Sequence, residues 1–446
     1  MNRTIFPTKL SGVISIPPSK SDTQRSMLCA ALAKGKSVLY NVGFSNDERN
    51  MLRALEALGT YIKCVDEKRR IFEIDSTNAF EKDTKIEIGE SGLGVRLLIA
   101  VLSSFSNTFT INGEGSLVNR PMDFYTKNLP ELGVQIESKE GRLPIQVKGP
   151  IQPKEITVDG SLSSQFISGL TMALVNTKKP VVFHVQDLNS VPYVQMTLDT
   201  LTQFGISVQA NLYTPTKLKT VPSIDDIYKH IMGITEVDVH NQTDSTLTTF
   251  RIKANQVYTP TQYNIEGDWS SASYWVVAKM LGAEIEIEGL NLHSLQADKK
   301  LLEISNWKLE NKFKFQITNF EFNATDCPDL FPALSALAAF QKGTSVITGV
   351  HRLKHKESNR GEVLQKEFAK LGVNIDLLDD EMHVHGTGEV KGGKIDTHND
   401  HRIAMCFGIV GLFATSHIEI QGAEAVNKSY PTFWEDLERL TDAYST

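Results

Sequence analysis

At 446 residues the chain is longer than one compact core usually serves, and two domains are expected. A hydrophobic content of 41% with 22% charged residues is that of an ordinary globular protein and excludes a disordered or fibrous chain. A formal net charge of −7 argues against nucleic acid as a partner, while leaving room for a locally basic cleft.

The N-terminal residues hold no apolar run of the kind that leads a secreted chain, and no later run is long enough to cross a bilayer. Cys29, Cys64, Cys327 and Cys406 stand far apart with no CxxC spacing, so reduced thiols, a cytoplasmic location and no zinc site are expected. Pro17-Pro18-Ser19-Lys20-Ser21-Asp22-Thr23-Gln24-Arg25 leads into Ser26-Met27-Leu28-Cys29-Ala30-Ala31-Leu32-Ala33, which reads as a helix. The prolines fix an extended approach, and Ser19 or Ser21 can cap the helix. Lys20 and Arg25 then stand near a helix start, where unpaired N–H groups favour anions.

From there two patterns recur. One is an apolar helix, a small or basic turn and a β-rich strand. It begins at Ala30, Leu98, Met172, Val276, Leu337 and Val410. The other is an amphipathic helix closed by glycine, at Leu58-Gly59, Leu132-Gly133, Phe204-Gly205 and Leu371-Gly372, with Leu301 to Phe313 as a degenerate copy. The glycines repeat at about seventy residues, which predicts repeated units, each with two helices, in an α/β class. Six such units fit the chain. The polar, proline-interrupted stretch 211–263 predicts an insertion together with a crossing between two halves of three units each.

Loops that open helices carry the chemistry. Gly89-Glu90-Ser91-Gly92-Leu93-Gly94-Val95-Arg96 would let a ligand approach the backbone. Asn119-Arg120-Pro121 predicts an arginine just before an N1 proline. Gly160-Ser161-Leu162-Ser163-Ser164-Gln165-Phe166 and Gly267-Asp268-Trp269-Ser270-Ser271-Ala272-Ser273 repeat the theme, and together these loops suggest helix starts converging on one anion. The second half adds Cys327-Pro328-Asp329, His355-Lys356-Glu357-Ser358-Asn359-Arg360, Asn399-Asp400-His401-Arg402 and Lys428. Cations bind anions, and carboxylates with shifted pKa values move protons.

On these motifs, in this order and over nearly the whole length, the chain resembles the 5-enolpyruvylshikimate-3-phosphate synthase family of enolpyruvyl transferases. The resemblance implies two similar domains, each of three βαβαββ repeats, in an inside-out α/β barrel with the active site in the interdomain cleft. Residues 18–265 would form the first domain, on the shikimate 3-phosphate side, with the insertion within about 211–263; residues 1–17 plus 266–446 would form the second. The implied reaction transfers the enolpyruvyl group of phosphoenolpyruvate to the 5-hydroxyl of shikimate 3-phosphate and releases phosphate. Matched residue by residue, Lys20, Ser21, Arg25, Ser163, Ser164, Ser190, Tyr193, Asp329 and Lys356 would meet shikimate 3-phosphate. Lys20, Gly92, Arg120, Gln165, Arg360, His401, Arg402 and Lys428 would meet phosphoenolpyruvate. Asp329 would take the proton of the hydroxyl, with Glu357 and Lys20 as candidates for the proton at C3. No cofactor and no metal are implied, and a cytoplasmic monomer with small-molecule substrates, no nucleic acid and no membrane is expected.

Five positions depart from the family pattern. Glu90 replaces a common asparagine, where a carboxylate would repel an anion unless protonated or turned away, Leu93 a common threonine and Leu97 a common proline. Arg352 and Asn359 replace a common asparagine and aspartate. Weak inhibition by glyphosate, which by resemblance competes with phosphoenolpyruvate, is expected from the first three. Two alternatives remain open: an enolpyruvyl transferase for another acceptor such as UDP-N-acetylglucosamine, and a weakly active paralogue that binds a phosphorylated metabolite. Against the first, Gly113–Asn119 lacks the reactive cysteine usual there.

Overall fold

The computed structural model describes residues 1–212, 247–305, 319–354 and 356–442. The chain is mixed α/β, and four of its sheets share one plan. In each, two parallel strands are followed by an antiparallel hairpin. In chain order these sheets centre on Lys36–Tyr40, Thr108–Asn112, Val181–Gln186 and Lys342–Thr348. Each central strand pairs parallel with a short strand on one side and antiparallel on the other. A parallel pair can form only when a long connection returns the chain to the same edge; in three of these sheets an apolar helix supplies it, while in the first the parallel partner, Gln262–Asn264, returns from the far end of the segment. Gly59, Gly133, Gly205 and Gly372 all take left-handed φ angles between +77° and +94°, the conformation that ends a helix most cheaply when no Cβ is present.

Two helix types follow from two sequence patterns. Lys20–Leu32, Gly92–Leu102, Ser164–Leu174, Trp269–Met280, Phe331–Ala339 and His401–Phe413 are buried nearly all round. Beyond their opening turns their sequences are mostly apolar or small on every face, so little of them has a reason to seek water, while the polar residues of the first turns are largely buried. Asn46–Ala57, Val191–Gln203 and Arg360–Lys370 are amphipathic and bury one stripe each.

The buried apolar side chains form two separate clusters. One runs from Met27 to Ile265, and the other joins Ile5–Ile16 to Ala272–Leu440. The N-terminal strands therefore serve the C-terminal core. Asn2–Ile5 pairs antiparallel with Ile418–Gln421, and Ser11–Ser15 pairs parallel with Glu284–Glu288. The chain crosses between the clusters twice, side by side. At this crossing Ser19 N donates to Glu266 O at 2.8 Å, and Asp268 N donates to Pro17 O at 2.9 Å.

Three readings of the sequence need correction or bounding. Pro121 is not the first residue of a helix: the helix is Asp123–Asn128, and Arg120 ends a 3₁₀ turn over Gly115–Asn119. Leu301 to Phe313 is a 3₁₀ helix, Ala297–Ser305, as far as the described residues go. Within the predicted insertion, Leu247–Ile252 completes the third four-stranded sheet and Gln262–Asn264 joins the first; 213–246 lie outside the described residues. Among the described residues no helix is long and apolar enough to cross a membrane.

Candidate active site

The six buried helices begin on one cavity of about 360 Å³, lined from both clusters. Lys20 and Ser21, Gly92 and Leu93, Ser163 and Gln165, Asp268 to Ser271, Asp329, and His401 with Arg402 mark the six starts. Most are capped by a side chain: Ser19, Ser91, Ser163, Asp268 and Asp400 each accept a backbone N–H of the first turn. Asp268 does this twice, taking Ser271 N at 2.7 Å on one oxygen and Lys20 N at 3.1 Å on the other. Short polar residues are placed here because a helix start leaves donors that nothing else in the helix can satisfy. Six partial positive charges aimed at one cavity make an anion site before any cation is counted.

The cations add to this. Lys20 Nζ donates to Asp47 at 2.8 Å. Burial opposes its charge, yet Asp47 and Glu357 hold its pKa above the ordinary lysine value. Arg120 Nη2 lies 3.3 Å from Ser116 Oγ and 3.6 Å from Glu357, and its Nε has no partner. A Cβ on Gly92 would sit 2.6 Å from Arg120 Nη1, so glycine at 92 keeps that guanidinium in place. Arg96 Nη1 donates to Gln165 Oε1 at 2.5 Å while its guanidinium stacks over Phe166. Burial and the neighbouring Arg120 push Arg96 down to about 10.

Two carboxylates face these cations. Asp329 receives Arg360 at 2.8 Å, Arg402 at 2.9 Å and Lys356 at 3.2 Å. Burial alone would raise its pKa, but the charges of Arg402, Lys356 and Arg360 hold it well below the ordinary carboxylate range. Glu357 receives Arg360 at 2.7 Å; here too burial raises and Arg120, Arg360, His401 and Lys20 lower, and the cations win. Arg360 is itself fully buried and forked onto Asp400 at 3.0 and 3.2 Å, so one guanidinium ties three carboxylates. His401 is held neutral: burial, then Lys20, depress its pKa far below 6.5, and neither ring nitrogen has a hydrogen-bond partner, Nδ1 lying 4.0 Å from Asp400.

Of the residues singled out in the sequence, Lys20, Ser21, Gly92, Arg120, Ser163, Gln165, Tyr193, Asp329, Lys356, Glu357, His401 and Arg402 line the cavity. Arg25, Ser164, Ser190, Arg360 and Lys428 do not line it. Arg25 stands behind the wall, donating to Ser21 O, Tyr193 O and Thr197 Oγ1; burial lowers it to about 10. Ser190 N donates to Asp326 at 2.8 Å, and its hydroxyl accepts from Arg352 at 3.0 Å. Lys428 turns to Glu90 and to Asn399 O. Asp47, Arg96, Asp268, Gln296 and Arg352 also line the cavity, although the sequence does not single them out as ligands. Arg96 closes the glycine-rich loop that opens its helix, a signal that could have found it; Asp47 reads as an ordinary first-turn acid and carries no signal. Among the described residues no group of three or more His, Cys, Asp or Glu is placed to hold a metal ion.

A sequence model described as EPSP synthase (3-phosphoshikimate 1-carboxyvinyltransferase) matches residues 6–233 and again 213–437. The 3-phosphoshikimate 1-carboxyvinyltransferase of Clostridium novyi is 33% identical over 98% of this chain and 97% of its own length. That of Clostridium acetobutylicum is 34% identical over 98% and 96%. The solved EPSP synthase of Acinetobacter baumannii superposes with a TM-score of 0.74 at 23% identity, over 99% of this chain and 98% of that one, which speaks to the fold.

Proposed function

Because the chain belongs to the EPSP synthase family, we propose that its cavity carries out that family's reaction with these side chains. The activity is that of 3-phosphoshikimate 1-carboxyvinyltransferase, the name borne by relatives that match almost the full chain. Phosphoenolpyruvate and shikimate 3-phosphate are the substrates the family implies. The observation that carries the assignment of residues is the convergence of Lys20, Arg120, Lys356, Arg360 and Arg402 on the two ionised carboxylates Asp329 and Glu357.

In this reading the phosphate of shikimate 3-phosphate rests on Ser163, Ser164 and the Lys20–Ser21 helix start, with Arg25, Ser190 and Tyr193 behind it. The phosphate of phosphoenolpyruvate rests on Lys20, Gly92 N–H, Arg120 and Gln165, and its carboxylate draws Arg360 and Arg402. Those two guanidiniums now hold Asp329 ionised. Once they turn to the substrate, Asp329 keeps only Lys356 beside it and its pKa rises toward that of a useful base. The 5-hydroxyl then attacks C2 of phosphoenolpyruvate, Asp329 accepts the hydroxyl proton, and C3 gains a proton from Glu357 or Lys20. The tetrahedral intermediate expels phosphate as C3 gives its proton back and the enol ether forms. Fixed cations and helix starts stabilise the phosphate as its charge grows, with little reorganisation. Neutral His401, its nitrogens without partners, supports the site as a hydrogen-bonding group rather than a cation.

The two-domain arrangement of three βαβαββ repeats each, with residues 18–265 in one domain and 1–17 plus 266–446 in the other, belongs to the same proposal, as does a cytoplasmic monomer. Support for the domain arrangement comes from the two separate apolar clusters and the shared plan of the four-stranded sheets. The test of function is phosphate release with phosphoenolpyruvate plus shikimate 3-phosphate, against controls lacking acceptor or offering UDP-N-acetylglucosamine. Release only with shikimate 3-phosphate is the expected result. Release with the sugar nucleotide, or with neither, overturns the reading.

Glyphosate is expected to inhibit weakly, together with a high KM for phosphoenolpyruvate. Leu93 reaches the cavity wall beside Gly92, and Leu97 is fully buried within the helix Gly92–Leu102. Position 97 thus lies inside the helix and not at its start, so a proline there would remove a backbone bond one turn back and bend the helix that presents Gly92. The combined variant Glu90→Asn, Leu93→Thr, Leu97→Pro is expected to become sensitive. Low-micromolar inhibition of the unmodified enzyme, with phosphoenolpyruvate near its KM, would show this account of the loop to be wrong.

A further inference from the structure

At Glu90 the sequence predicts repulsion of an anion unless something neutralises the carboxylate or turns it away. That carboxylate is fully engaged. One oxygen pairs with Lys428 Nζ; the other accepts Ser116 N at 2.9 Å and Asn399 Nδ2 at 3.3 Å. The seat is built for it: Gly115 has φ +57°, and a Cβ there would overlap the carboxylate. Lys428 also donates to Asn399 O at 2.8 Å. Glu90 belongs to the segment of the first apolar cluster, and Asn399 and Lys428 to that of the second, so the pair bridges the two. Lys428 and Glu90 line a side cavity of about 300 Å³ with Asn46, Arg49 and Asn50, and neither lines the main cavity.

We propose that Glu90 is a positioning residue that holds Lys428 out of the phosphoenolpyruvate site and thereby sets the affinity for that substrate. This rests on the proposed function of the main cavity. Incoming phosphoenolpyruvate must draw Lys428 away from a carboxylate and a carbonyl that hold it at two points, and the cost of breaking that pair appears as weaker ground-state binding. The reacting atoms lie elsewhere, so the chemical step is spared. Glu90 thus acts by occupying a cation rather than by opposing the anion directly.

The experiment is steady-state phosphate release with varied phosphoenolpyruvate at saturating shikimate 3-phosphate, and the reverse. The unmodified enzyme, Glu90→Gln and the double variant Glu90→Gln, Lys428→Met are compared. In Glu90→Gln the KM for phosphoenolpyruvate is expected to fall roughly three- to tenfold, the scale of releasing one largely buried ion pair that keeps some contact with water. The KM for shikimate 3-phosphate stays within about twofold, as does kcat, because the interaction released is a ground-state one. The gain disappears when Lys428 is also removed. An unchanged or raised KM for phosphoenolpyruvate in Glu90→Gln overturns the proposal, and so does a gain that survives the loss of Lys428. Glu90→Asn, a smaller neutral amide, must move KM the same way and keeps the test decisive should the glutamine variant fold poorly. Absence of acceptor-dependent release by the unmodified enzyme would register separately and would overturn the functional reading along with this one.

Discussion

An Asp329→Ala enzyme is expected to turn over at least about a hundredfold more slowly than the unmodified chain, the usual effect of losing a positioned proton acceptor. Asp329 meets Arg360, Arg402 and Lys356 within 3.2 Å, and the proposed mechanism assigns it the proton of the acceptor hydroxyl. Its loss has two separable effects. The hydroxyl loses its base, which lowers kcat, and three cations lose their counter-charge, which costs stability. Asp329→Asn separates them, since the amide keeps the shape and one acceptor oxygen. It should melt closer to the parent while remaining as slow as the alanine variant. Circular dichroism melts beside initial-rate assays decide the point. Near-normal turnover in either variant removes Asp329 from proton transfer.

Glu357→Gln is expected to lose at least about a hundredfold in kcat for a different reason. Glu357 touches Arg360 and approaches Arg120, on the proposed phosphoenolpyruvate side of the cavity. Glutamine keeps the size and can still accept from a guanidinium, so the positions of Arg120 and Arg360 are retained. What disappears is a negative charge among cations that bind an anion. The KM for phosphoenolpyruvate should therefore not rise, and a falling kcat with a steady or falling KM marks a residue needed in the transition state and not in binding. A raised KM with unchanged kcat would falsify the assignment and make Glu357 an anchor for Arg120. The two carboxylates thus differ in their expected kinetic signatures, although both are held ionised in the same manner.

Much of the fold is legible because its signals are local. Glycines after the amphipathic helices mark their ends, and serines or aspartates before the apolar helices mark their starts; both depend only on backbone geometry within one turn. The convergence of those starts is less direct, yet repetition of a polar loop before an apolar helix already suggests it. Pairings across the chain are where local reading fails. Asp268 reads as the cap of its own helix, and nothing nearby says that its second oxygen caps Lys20 as well. Asp47 reads as a first-turn acid, and its service to Lys20 depends on packing between two helices. Lys428 matches a substrate cation, while its engagement by Glu90 arises only when segments more than three hundred positions apart meet. Pro121 misleads for a different reason: proline favours a helix start but equally follows an extended residue, as here after Arg120, which leaves a 3₁₀ turn in extended conformation.

The N-terminal strands serve a core that the rest of the chain completes last, and this has a consequence for biosynthesis. Residues that make the first cluster leave the ribosome as one continuous stretch and can condense while translation continues. Asn2–Ile5, made before any of them, has no β partner until Ile418–Gln421 emerges. Until then it is an exposed strand edge with Phe6 beside it, a surface suited to off-pathway pairing. The helix Phe433–Asp442, the last among the described residues, then secures it, since Arg439 Nη1 donates to Val13 O at 2.9 Å and Arg3 pairs with Glu438. The strand Asn2–Ile5 and the helix Phe433–Asp442 are thus fastened to each other only once the later segment has been made, and a nascent chain halted shortly before it would hold one finished core and one that cannot yet close.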